Sequence, residues 1–150
     1  GLERARERGL PALAVDRKQY PGRGAHEAEM LRQLDRARPD LICLAGYMRL
    51  LSPEFVLRWR GRILNIHPAL LPKFPGLHVQ RRVLEAGEKE SGCTVHFVDE
   101  GTDTGPIVLQ RRVPIFPGDT EESLSARILE QEHRAYPEAI SQVLATLSRT

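Results

Sequence analysis

LICLAGYMRLLSPEFVLRWRGRILNIH, residues 41–67, holds two short apolar runs on either side of a capped helical segment. Residues 41–45 are continuously apolar without alternation, the pattern of a strand covered on both faces as in parallel sheets, and residues 63–67 form a second candidate strand. Between them Ser52 supplies an N-cap, Pro53 fits the first helical position and Glu54 favours the helix dipole. A short helix through about Trp59 is therefore expected, giving a strand–helix–strand unit.

Upstream, GLERARERG at residues 1–9 reads as an amphipathic helix, followed by a short apolar run over 11–15. Over residues 26–38, Met30, Leu31, Leu34 and Ala37 share one helical face, and Pro39 prevents continuation. Downstream, a proline-broken stretch over 68–75 leads into HVQRRVLEAG, a helix closed by Gly87 at C′. Residues 93–98 and 107–113 read as strands, the second more exposed because its polar positions alternate. Asp119 opens a D-x-x-E pattern resembling a capping box, so a helix is expected from Thr120 towards Leu147 with a bend near Pro137. This alternation predicts an α/β fold with an open, mainly parallel sheet, Rossmann-like, with helices on both faces. A chain of 150 residues, 41% hydrophobic and 28% charged, suits a single domain over residues 1–150.

Lys and Arg number 22 against 20 for Asp and Glu, and a net charge of +2 is too small to predict a nucleic-acid partner. Cys43 and Cys93 are flanked by apolar residues and lack the close pairing of metal knuckles or redox motifs, so both read as buried thiols in a reducing compartment. No apolar stretch approaches the ~20 residues of a membrane span, and the charged beginning is unlike a signal sequence. The expectation is a soluble cytoplasmic protein without a membrane partner; a homodimer is left open.

The chemistry concentrates in NIHPALLPKFPGLH, residues 65–78. Asn65 and His67 are two apart on a strand, so they project to the same side, at the carboxyl end where open α/β sheets collect ligands. Asn offers an amide donor to a developing oxyanion, and His exchanges protons near neutral pH. The spacing alone equally suits side chains that merely bind the following loop. DEGTDTGP, residues 99–106, joins the next two strands, and its Asp103 can orient or charge-stabilise an imidazole if the strand ends adjoin, or else cap turn amides. Leu124, Ile128 and Glu132 recur every four residues on an apolar stripe, so the Glu132 carboxylate needs a partner, either substrate hydroxyls or a structural Arg or Lys. His96, in TVHFV, reads as packed or hydrogen-bonded scaffold, and Gly76 and His78 mainly as loop structure. The spacings of His67, His78, His96 and Asp103 match no compact ligand motif, so no metal is expected.

NIHPALLPKFPGLH, LAGYMRLLSP, CTVHFVDEGTDTGPIVLQ and ARILEQEHRAYP together resemble the glycinamide ribonucleotide formyltransferases, a family of folate-dependent formyl-transfer enzymes. The resemblance runs in order through nearly the whole chain. It implies that 10-formyltetrahydrofolate, as cosubstrate, gives a formyl group to the amine of glycinamide ribonucleotide in purine biosynthesis. It further implies that Asn65 bonds the formyl oxygen, that His67 stabilises the tetrahedral intermediate and moves its protons, and that Asp103 raises the histidine pKa. Cofactor binding carries over to Met48, Arg49, Leu50 and Leu51, to the loop Asp99, Glu100, Gly101, Thr102 and Asp103, and to Arg23 in PGRGAHEAEM, near the glutamate tail. Glu132 matches a substrate-contacting glutamate.

Members of that family begin with a strand and a glycine- and serine-containing loop that holds the ribonucleotide phosphate, and this sequence starts beyond it. Roughly forty residues, one strand–helix–strand beginning, are expected to be missing. Gly22-Arg23-Gly24 does not replace the loop, since Glu27 stands where a dinucleotide fingerprint has its third glycine. The competing readings are a hydrolase of the same cofactor, a non-catalytic folate-binding fragment and, less fittingly, a methionyl-tRNA formyltransferase, whose family carries a further RNA-binding domain.

Overall fold

Ser52 Oγ accepts the Phe55 N–H at 3.1 Å, so α3 (Pro53–Arg58) starts where its cap sequence places it. The computed structural model describes residues 1–47 and 49–147. Over these the chain forms α1 (Leu2–Glu7), a 3-10 turn (Arg17–Gln19), α2 (Arg23–Ala37), β1 (Ile42–Cys43), α3, β2 (Ile63–His67), α4 (Val79–Glu85), β3 (Glu90–Phe97), β4 (Ile107–Pro114) and α5 (Glu121–Leu147). Two compact units result, Gly1–Pro39 and Asp40–Thr150.

In the first unit α2 packs on the 3-10 turn. Buried His26 donates Nε2–H to the Val15 carbonyl at 2.9 Å and sets its ring edge-on to Tyr20. Arg38 adopts the left-handed conformation that ends α2, ahead of Pro39.

The second unit carries an open sheet in the order β1-β2-β3-β4. The α/β architecture is as expected, but the mainly parallel pairing is not: β1 runs parallel to β2, whereas β2–β3 and β3–β4 are antiparallel. Apolar periodicity reports burial and not strand direction. The β3–β4 connection over 98–106 is also shorter than the dozen or more residues a parallel crossover needs. β1 is a two-residue edge strand, and Cys43 is exposed on it, correcting the expectation of two buried thiols; only Cys93 is buried. On one face of the sheet Leu64, Cys93, Val95 and Val113 pack under Val79 and Val83 of α4 and under Leu124, Ile128, Ala135, Ala139 and Val143 of α5. Fully burying one such Leu or Ile contributes about 1.5–3 kcal/mol.

The opposite face of β3 holds down the loop after β2. Thr94 Oγ1 donates to the Ala69 carbonyl at 2.7 Å and accepts the Leu71 N–H at 3.1 Å, while Gln110 Nε2 donates to the Leu71 carbonyl at 2.8 Å. At the start of α5 it is Thr120, not Asp119, that caps, accepting the Ser123 N–H at 3.1 Å. Asp119 is taken by Arg127, at 2.8 and 3.0 Å, in a two-pronged pair beneath the Phe116 ring.

Candidate functional site

Antiparallel register brings the site together. Asn65 on β2 lies opposite His96 on β3, and His67 lies opposite Thr94, so Asn65, His67 and His96 project from the same face. The loop over 98–106 then turns back across the strand ends. Gly105 permits this turn, because a side chain there would meet the Phe97 carbonyl at 1.8 Å. Asp103 adopts φ 56, a left-handed conformation that Asp tolerates better than most residues. Its carboxylate reaches His67 Nδ1 at 3.4 Å, His96 Nε2 at 3.5 Å and the Gly76 N–H at 2.9 Å.

Both imidazoles are buried and tied in the same manner. His67 Nε2 donates to the Phe74 carbonyl at 2.7 Å, and His96 Nδ1 donates to the Phe97 carbonyl at 2.9 Å. A carbonyl only accepts, so one N–H of each ring is committed to the backbone, leaving His67 Nδ1 and His96 Nε2 on the side of the site. Each of these working nitrogens faces Asp103. Burial pushes the Asp103 carboxyl up, but the bonds from His96 and Gly76, with the charges of both imidazoles, outweigh it and hold the group below its ordinary value. Asn65 Nδ2 stands 3.5 Å from His96 Nε2, a contact at the limit of a hydrogen bond.

These groups open onto a cleft of about 610 Å³. Arg49, Leu50 and Leu51 line it from the segment after β1, and Leu50 is 54% exposed there. Met48, assigned with them, lies outside the described residues. From the loop after β3, Asp99, Gly101, Thr102 and Asp103 line the cleft. Asp99 Oδ1 is spent within the loop, on the Thr104 hydroxyl at 2.6 Å and the Gly101 N–H at 2.9 Å. Glu100 reaches Arg60 at 2.6 Å. Arg23 belongs to the first compact unit, at the start of α2.

Glu132 enters the cleft from α5. Half-buried, it is pushed up by desolvation, which the charge of His133 only partly offsets. Among the described residues no protein group hydrogen-bonds it, so the structural Arg or Lys that its position allowed is absent and the carboxylate is presented to the cleft. His96 is the member that sequence reasoning left as scaffold. It is hydrogen-bonded as expected, yet it also touches Asp103 and Asn65. Its position in the strand gave no signal of this, because only the β2–β3 register places it there. His78, at a left-handed position ahead of α4, and Gly76 also line the cleft. The described residues contain no group of three or more His, Cys, Asp or Glu able to hold a metal ion, and no described helix is long and apolar enough to cross a membrane.

An amide donor, an imidazole with one free nitrogen and a carboxylate behind it, at the wall of a cleft, can stabilise an oxyanion and carry a proton at one reacting centre. Residues 1–140 match the family described as Formyl transferase. The chain is 58% identical over 144 residues to the trifunctional purine biosynthetic protein adenosine-3 of Drosophila melanogaster, covering 96% of this chain and 11% of that protein. It is 48% identical over 141 residues to the phosphoribosylglycinamide formyltransferase of Escherichia coli (strain K12), covering 94% of this chain and 66% of that one. The crystal structure of glycinamide ribonucleotide transformylase 1 from Symbiobacterium toebii superposes with a TM-score of 0.89 at 55% identity, over 93% of this chain and 66% of that one. The chain therefore spans about a tenth of the trifunctional relative and just under two thirds of the two bacterial ones.

Proposed function

The chain belongs to the Formyl transferase family, and on that premise we propose that it carries the catalytic domain of an enzyme moving the formyl group of 10-formyltetrahydrofolate to the primary amine of glycinamide ribonucleotide, in the cytoplasm, for purine synthesis. The observation that carries the reading is the convergence of Asn65, His67 and Asp103 on one wall of the cleft. In this reading the folate pterin lies against Arg49, Leu50, Leu51 and the loop over 99–103, and the family resemblance further assigns Met48 and Arg23 to the cofactor. The ribonucleotide approaches Glu132.

The amine nitrogen attacks the formyl carbon, and the carbonyl electron pair moves onto oxygen, where Asn65 Nδ2–H receives it. The attacking nitrogen gives up a proton and the folate N10 takes one; His67 Nδ1, backed by Asp103, is placed to carry it. The C–N10 bond then breaks, releasing tetrahydrofolate and the formyl amide, and no water is consumed. The test is release of tetrahydrofolate from 10-formyltetrahydrofolate by the full-length protein, with and without glycinamide ribonucleotide. Release that needs the ribonucleotide and is lost in His67→Ala is expected. Release without the ribonucleotide would make the protein a hydrolase, and folate binding without any release would make it a folate-binding protein.

Glu132 supplies a second check with an unusual signature. A carboxylate whose folded pKa lies above its ordinary 4.5 favours the folded state while protonated, and that benefit is lost as pH rises through the folded value. Glu132→Gln is therefore expected to melt higher than wild type at pH 7–8, with the gain vanishing in acid, while KM for the ribonucleotide rises about tenfold for the loss of one charge-assisted hydrogen bond. Melting curves across pH, set beside KM, check both halves; a variant that is less stable at neutral pH with unchanged KM assigns Glu132 to structure.

A further inference from the structure

The loop over residues 74–77 supplies two backbone groups to the site, the Phe74 carbonyl that anchors His67 Nε2 and the Gly76 N–H that holds Asp103. Phe74 itself sits at φ 55, a left-handed conformation that a bulky side chain disfavours, so at this position the segment does not follow from local preference. One side chain grips it from α4. Arg82 Nε donates to the Leu77 carbonyl at 3.0 Å, Arg82 Nη2 donates to the Pro75 carbonyl, and the guanidinium lies 5.8 Å from the centre of the Phe74 ring. Only a planar fork meets two carbonyls and a ring face together.

We propose that Arg82 is a positioning residue for the formyl transfer: its guanidinium clamps residues 74–77, and through the Phe74 carbonyl and the Gly76 N–H it fixes which way His67 Nδ1 and the Asp103 carboxylate point. Arg82 touches neither His67 nor Asp103, and its effect passes through backbone groups alone. The inference rests on the function proposed above. Released from Arg82, the loop no longer holds the His67 ring by its Nε2–H, and the Nδ1 proton is carried from a broader range of positions. Misplacement on the order of 1 Å costs up to about 100-fold in rate.

The experiment compares the full-length protein with Arg82→Ala, Arg82→Lys and Arg81→Ala. Arg81 is the control, since it lies on the same helix and pairs with Glu121 at 3.7 Å on the surface. Steady-state kinetics and the 15N resonances of the His67 ring are measured for each. Arg82→Ala is expected to lose on the order of 10-fold in kcat with KM for both substrates within about twofold, and to change the His67 ring signals. Arg82→Lys should recover part of the kcat, and Arg81→Ala should match wild type in both readouts. Wild-type kcat with unaltered His67 signals in Arg82→Ala overturns the proposal, as does a loss confined to melting temperature. Should wild type itself transfer no formyl group, the functional reading falls, and the His67 signals still decide whether Arg82 positions the ring.

Discussion

Replacing Asn65 by alanine is expected to lower kcat for formyl transfer roughly 100- to 1,000-fold while moving the melting temperature by no more than about 4 °C. The reason lies in what the amide does before any substrate arrives. Its contact with His96 is 3.5 Å long, so it contributes little to the folded ground state. A donor held at the end of a rigid strand but nearly unused is worth most when negative charge develops beside it, about 2.7–4 kcal/mol for one oxyanion contact. The loss should therefore fall on kcat and on kcat/KM alike, the mark of an interaction made in the transition state only. Steady-state kinetics with a thermal melt on the same preparation checks this. Near-normal kcat would remove Asn65 from the reaction, and a large drop in melting temperature would make it structural.

Asp103→Asn is expected to cost roughly 100-fold in kcat, and its stability penalty should depend on pH in a way that identifies the charge as the cause. The amide oxygen of Asn can still accept the Gly76 N–H, so the loop keeps that bond, whereas His67 Nδ1 and His96 Nε2 lose the anion that faces them. In the wild type the folded Asp103 pKa lies below its ordinary 3.8, because His96, Gly76 and the imidazole charges overcome burial. Ionised Asp103 accordingly adds stability that is complete above the unfolded value and is lost as pH falls through the folded one. The melting-temperature gap between wild type and variant should be widest near neutral pH and close in acid below about pH 4, opposite in sense to Glu132→Gln. A gap that is flat across pH would mean that shape, not charge, is what the position requires.

Local signals proved sufficient wherever one segment decides the outcome. β2 occupies the residues its apolar run marks, Ser52 and Pro53 start α3, and Gly87 at φ 70 follows α4. Asn65 and His67 were legible because strand alternation puts them on one face whatever the partner strand. Glu132 was legible as a misplaced charge on an apolar stripe. The Asp119 signal misled, since Arg127 claims the Asp from eight residues away and the cap falls to its neighbour Thr120, whose N3 residue is Ser123 and not a Glu. Cys43 departs from expectation too, being exposed on β1 among the described residues.

Residue types and their periodicity by themselves determined the elements, the polar pair at the end of β2 and, through long ordered motifs, the family. They did not determine that β3 runs back against β2, which sets His96 opposite Asn65 across 31 residues and brings Asp103 to both imidazoles. Nor did they show that the Phe74 carbonyl and Arg82 decide the orientation of His67. Periodicity encodes which face of a strand is buried, a property each segment carries alone. Strand direction, register and the partner of a ring nitrogen depend on contacts between distant segments, and these exist only once the chain has closed on itself.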